Sequence, residues 1–246
     1  MRVVTGAGGI SRPADGGQGA RKARHLPSIG GSISRSRYIL IARILHWVLS
    51  IGMIAEIILG LYSDGLPYGA GQAAAHVTFL YSIHKTAGIA LLAVAILFAA
   101  WLQLGPGRPA PEGRIGWDHA LGRLVYWGLF VAMLAIPVTG PILHGNGPSW
   151  GYAPIFWPWS DRIPGVPDAF ASNRTVSAFH AQSWWLFAGL STVHPLLWFR
   201  RRHLRRRYGA GPRPPGVTVS AKLLRLAPWG GVLMWLAVAA LVACPA

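Results

Sequence analysis

Five apolar stretches decide what this chain can fold into. They run over residues 39–62, 79–102, 121–143, 178–199 and 226–243. The hydrocarbon core of a bilayer is about 30 Å thick, so a spanning helix needs about 20 apolar residues. In lipid a single segment satisfies its backbone groups only as a helix. Charged residues make up 12% of the chain, against about 25% in ordinary soluble domains. The expected fold class is an all-α integral membrane protein. It has a four-helix transmembrane bundle over residues 39–200 and one additional C-terminal transmembrane helix.

The formal charge of +16 raises the question of nucleic acid. The 23 Lys and Arg lie between the apolar runs rather than on a soluble core, and this excludes a basic nucleic-acid domain. One side of the proposed bundle carries 20 of them, in the tail up to Arg43, the loop with Arg108, Arg114 and Arg123, and the segment 200–225. The other side has only Lys85, Arg162 and Arg174. The positive-inside rule then puts the N-terminus in the cytoplasm and, after five spans, the C-terminus outside.

Residues 1–38 read as a flexible basic cytoplasmic tail, or an overextended start. They lack the apolar stretch of a signal peptide. The outer loop 63–78 is short. The outer loop 144–177 is long and carries Trp150, Trp157 and Trp159, residues favoured at a membrane boundary. Residues 201–225 read as a basic cytoplasmic linker, and its run RRRHLRRR as a stop and a contact for anionic lipid. Residues 226–246 supply the fifth helix and a short outer C-terminus. The single cysteine, Cys244, allows no intrachain disulfide and reads as a small lipid-facing residue.

Four of the nine histidines, His46, His84, His180 and His194, fall inside the expected spans. Ionisable residues there are costly and usually face the bundle interior for a functional reason. Their depths sort them. His46 lies seven residues into a helix that starts inside, and His194 six residues before Arg200, where a helix ends inside. His84 and His180 both come early in helices that start outside. This predicts an inner pair, His46 with His194, and an outer pair, His84 with His180. His180 and His194 are 14 residues apart, nearly four turns, so they share a face and stand about 21 Å apart along the axis. One zinc or copper ion could not use both. Two haems could, each held by two axial imidazoles that leave no open site, an arrangement suited to one-electron transfer.

Neighbouring residues admit two readings each. Trp184, Phe187 and Ser191 share the face of the two histidines, and Phe187 is either a spacer between macrocycles or an ordinary core aromatic. Gly88, one turn after His84, either makes room for a flat ring or packs against a helix. Arg43 either meets a haem propionate or snorkels to the inner surface. Lys85 and Arg174 lie near the outer pair and could meet propionates there. Glu56 is the only acid well inside a span; proximity to the outer interface is the favoured reading, with proton transfer beside a quinone as the other. His25, His76, His119, His144 and His203 read as solvated.

The segments RILHW around His46, IHKTAGI around His84, LGRLVYWGLFVAMLAIPVTG in the third run and FHAQSWWLFAGLSTVH from His180 to His194 resemble the bacterial cytochrome b561 family. The resemblance implies two haem b groups with His46, His84, His180 and His194 as axial ligands. It also implies the bacterial inner membrane as location and quinone as a lipid-soluble partner. Some members of that family resemble superoxide-to-quinone oxidoreductases; others resemble membrane subunits fed by a hydrogenase or dehydrogenase. Tyr126 stands where members often have a third-helix histidine. The fifth helix is an addition to the simplest members and suggests a docking surface for a partner subunit.

Three functions follow as expectations. The first is electron transfer between a periplasmic donor, or superoxide, and membrane quinone. The second is a haem-bearing anchor of a larger complex. The third is a small transporter of protons or metal without haem. Lys85, Arg162 and Arg174 are balanced by Asp64, Asp161 and Asp168 on the outer side, so no net field steers superoxide there.

Overall fold

The computed structural model describes residues 34–67, 75–105, 114–144, 153–156, 174–209 and 217–243. The expectations placed on residues 1–33, Arg108, Trp150, Trp157, Trp159, Arg162 and Cys244, and on the side chain of His144, lie outside the described residues. Helix α1 spans Arg35–Asp64, α2 Ala75–Gln103 and α3 Trp117–His144. Helix α4 spans Arg174–Gln182, α5 Trp184–Tyr208 and α6 Ala227–Ala243. Strands β1, Arg114–Gly116, and β2, Thr218–Ser220, pair antiparallel with Ile115 opposite Val219. A 3₁₀ turn, Ala221–Leu226, leads from β2 into α6.

Four helical segments are long and apolar enough to cross a membrane: α1, α2, α3 and Ala221–Ala243. The fourth apolar run, expected as one helix over 178–199, is different. It is divided at Ser183 into α4 and α5, and α5 continues to Tyr208 through the basic run. The division is confined to this one residue. Ser183 keeps right-handed backbone angles, φ −62° and ψ −22°. Its N–H still donates to the Phe179 carbonyl at 2.9 Å, and Phe187 N–H donates to the Ser183 carbonyl at 3.2 Å. The Ser183 hydroxyl also donates to the Phe179 carbonyl, a local bond known to bend helices. Past His194, Pro195 removes one more backbone donor. The basic end is helical rather than a linker from residue 201. There Arg200 lies over the Trp117 ring and Arg202 over the Trp198 ring, each at 5.1 Å. Gly209, at φ 60°, ends the helix with its N–H on the Arg205 carbonyl.

Helix α3 is the centre of the bundle and packs against α2, α4, α5 and α6. The core joins Leu49 and Met53 of α1, Leu91 and Ala95 of α2, Val125, Ala132 and Ile136 of α3, and Phe187, Leu190 and Leu197 of α5. The i, i+4 spacing of the first two couples puts each on one helical face. Large apolar side chains such as Ile51, Ile58, Leu97, Leu196 and Leu233 point away from the protein, as lipid-facing residues do. Helix α6 approaches α3 closely at Gly231, where an added Cβ would stand 2.8 Å from the Trp127 carbonyl carbon and 3.0 Å from the Gly128 nitrogen. One turn on, buried Trp235 donates its Nε1–H to the Gly128 carbonyl at 2.8 Å and packs its ring on Phe179.

Candidate functional site

The structure brings the four histidines together in two couples. The His46 ring of α1 faces the His194 ring of α5, with centroids 6.2 Å apart and planes at 58°. The His84 ring of α2 faces the His180 ring of α4, with centroids 6.1 Å apart and planes at 72°. The helices that carry each couple are not close neighbours. At the backbone α1 lies mainly against α2, and α5 mainly against α3. The imidazoles therefore reach towards each other across gaps that close helix packing does not fill.

The gaps match a metal with its own equatorial ligands. Imidazole–metal bonds are about 2.0 Å long. Two such bonds, each extended from ring nitrogen to ring centre, set trans imidazole centroids about 6 Å apart. No group of three or more His, Cys, Asp or Glu that could hold a bare ion occurs among the described residues. Two imidazoles per centre suit haem iron, whose macrocycle supplies the remaining donors. At Gly88 a Cβ would meet nothing within 4 Å, so the wall one turn after His84 borders open space, as a flat ring requires.

Hydrogen bonds settle which ring nitrogen of His180 is available. Thr139 has one hydroxyl hydrogen, and its Oγ1 donates to the Ile136 carbonyl at 2.7 Å. The same oxygen lies 2.8 Å from His180 Nδ1, so it accepts from an Nδ1–H. That tautomer leaves the Nε2 lone pair for a metal. Gly140 follows Thr139, and a Cβ there would stand 3.5 Å from His180 Cε1.

His84 is held by α1. Its Nδ1 lies 2.7 Å from Glu56 Oε2 as an ion-pair contact, and neither atom makes a hydrogen bond of regular geometry among the described residues. A Cβ on Gly60, one turn after Glu56, would stand 3.1 Å from His84 Cε1. Proximity to the outer interface, the favoured expectation for Glu56, therefore misses its main contact. The helical spacing of Glu56 and Gly60 was the available signal, but it does not name the ring that lies beside them.

The other candidates are placed as follows. Arg43 and Arg174 are exposed. Lys85 donates from Nζ to the Ala153 carbonyl at 2.7 Å, and the Phe156 N–H donates to the Thr86 hydroxyl at 3.0 Å. These two bonds fasten the segment 153–156 onto α2 at the two residues that follow His84. Phe187 is a buried core residue beside Leu190. His46 has Trp47 and Phe98 as ring neighbours at 5.9 and 6.4 Å. Tyr126 is half-buried, with its ring centre 6.2 Å from that of Phe130 and 5.7 Å from the Arg123 guanidinium carbon. His76, His119 and His203 are exposed.

A family model described as prokaryotic cytochrome b561 matches residues 37–210. No curated protein and no solved structure matches the chain.

Proposed function

The chain belongs to the prokaryotic cytochrome b561 family and is a multi-pass membrane protein of haem-b electron transfer; from that premise we propose that it carries two haem b groups and passes electrons between an outer-face partner and membrane quinone. His46 with His194 would hold one haem, and His84 with His180 the other. The observation that supports this most is the repeated centroid separation, 6.2 and 6.1 Å, at two couples on four different helices. When bound, the haems supply reversible one-electron chemistry with both axial positions filled. The chain supplies the rest. Thr139 and Glu56 orient two of the rings, Gly88 leaves room for a macrocycle, and the apolar core keeps water out.

The proposed topology adds α4 with α5 as a divided fourth span, because together they carry two of the ligands. The N-terminus lies in the cytoplasm and the C-terminus outside, on the charge asymmetry of the sequence, and the membrane is the bacterial inner membrane. The His46/His194 couple then sits in the inner leaflet and the His84/His180 couple in the outer one. Residues 1–38 form the cytoplasmic tail. Helix α6, which lies beyond the matched residues, forms the fifth span. Its position beyond the matched residues favours a second reading in which a partner subunit docks against it. Purification in mild detergent separates the two: a stoichiometric partner supports the anchor subunit, and a lone protein that reduces quinone supports the self-contained carrier.

A reduced-minus-oxidised spectrum tests the main proposal. Two b-type components at two haems per chain are expected, and a protein without visible absorption would instead be a transporter. Thr139→Val keeps the side-chain volume but removes the acceptor of His180 Nδ1–H. Loss of such an outer-shell partner typically weakens metal binding about 10–100-fold. Faster haem transfer from this variant to apomyoglobin is the expected readout, and an unchanged rate would remove Thr139 from the site.

A further inference from the structure

Glu56 lies mid-helix in α1, where an ionised carboxylate is expensive unless it is paired. Its side chain is 12% exposed and that of His84 is 23% exposed. The buried Oε2 has one neighbouring donor among the described residues, His84 Nδ1 at 2.7 Å. Gly60 places the next turn of α1 under the same ring, leaving 3.1 Å between an added Cβ and Cε1. The ring is thus fixed by a wall and a carboxylate from one helix. The Nδ1 edge of the ring lies against the carboxylate as an ion-pair contact, and the tautomer with hydrogen on Nδ1 would leave the Nε2 lone pair for a metal.

The two rings of this couple are held by different chemistry. His180 donates to a neutral hydroxyl, whereas His84 faces a carboxylate. The His46/His194 couple has no carboxylate partner among the described residues. A carboxylate accepting from the far nitrogen makes an imidazole a stronger donor to its metal. Stronger donation favours the ferric state, and second-shell hydrogen bonding is one of the levers that set haem potentials.

We propose that Glu56 is the positioning residue for His84 and that its carboxylate lowers the reduction potential of the haem held by His84 and His180. This rests on the reading of those two histidines as axial ligands. The two haems then differ in potential because, among the described residues, an acid stands at one couple and none at the other. The lower-potential haem lies at the end of the bundle where segment 153–156 covers α2.

The experiment uses the full-length, haem-loaded protein in detergent. Redox titration, low-temperature EPR and haem-to-protein ratio are measured for wild type, Glu56→Gln and Glu56→Leu. The His194→Ala protein, which retains the His84/His180 couple, assigns the components. In Glu56→Gln a neutral amide of the same shape replaces the carboxylate beside His84 Nδ1, so both haems stay. One midpoint potential rises, one low-spin EPR signal shifts, and the other component is unmoved. In Glu56→Leu the same haem is held about 10–100-fold more weakly. The proposal is overturned if Glu56→Gln leaves both potentials and both EPR signals at their wild-type values, or if the moved component is the one lost in His194→Ala. A wild type with fewer than two b-type components would overturn the underlying ligand reading instead, and that result is visible before any Glu56 variant is made.

Discussion

On the proposed two-haem reading, replacing His194 with Ala should remove one haem and leave the other in place. The two couples share no side chain, and their rings meet on different helices: His46 with His194 on α1 and α5, His84 with His180 on α2 and α4. A methyl group at position 194 cannot ligate iron, and His46 alone leaves one axial position open to weaker ligands. The purified variant should therefore show about half the wild-type reduced-minus-oxidised amplitude, because one of two bis-imidazole sites is gone. His46→Ala should reproduce that spectrum, and His180→Ala should leave the complementary component. Loss of both components from His194→Ala, with the protein still folded by circular dichroism, would mean that the sites are not separable as drawn. Loss of the component that His180→Ala also removes would mean that the couples are wrongly matched.

The ring couples were legible in the sequence because two simple quantities determine them. Depth in the membrane follows from distance to the charged ends, as with His194 six residues before Arg200. Facing follows from the helical period, which survives the division because the bonds at Ser183 and Phe187 keep the i to i−4 pattern. The division at Ser183 was not legible. Serine is common in apolar helices, and its bond to the Phe179 carbonyl is of a kind that Ser63, Thr86 and Thr192 also make in undivided helices. Glu56 and Thr139 were missed as ring partners for a related reason. A period says which face a residue occupies, not which residue of another helix stands opposite. Lys85 was expected near a propionate, but its bond to Ala153 depends on how a long loop folds back, which local pattern does not encode.

Replacing Trp235 with Ala should loosen the His84/His180 end of the protein more than the other. The fifth helix was expected as a surface for a partner, yet one of its faces is committed within the chain. Trp235 is 3% exposed. Its Nε1–H donates to Gly128 of α3 at 2.8 Å, and its ring meets Phe179 at a centroid distance of 6.0 Å. Phe179 immediately precedes His180, so α6 braces the short helix that presents this histidine. Truncating a buried Trp to Ala costs about 3–5 kcal/mol in soluble cores. In lipid the helices lose packing contacts but gain no water exposure, so the lower end of that range applies. A part of the cost is the lost Trp235 hydrogen bond, about 0.5–1.5 kcal/mol, since the Gly128 carbonyl lies within α3 and keeps its helical donor. Trp235→Phe isolates that part, since the ring still packs on Phe179. The ordering expected on heating in detergent is therefore wild type, Trp235→Phe, then Trp235→Ala. In the last of these the component that His180→Ala removes should bleach before the other. Equal loss of both components would show that α6 stabilises the bundle as a whole and has no particular hold on α4. Unchanged melting in Trp235→Ala would show that the contact with α3 is carried by the close approach at Gly231 alone, where Gly231→Leu would then be the damaging change because the backbone of Trp127 cannot move aside.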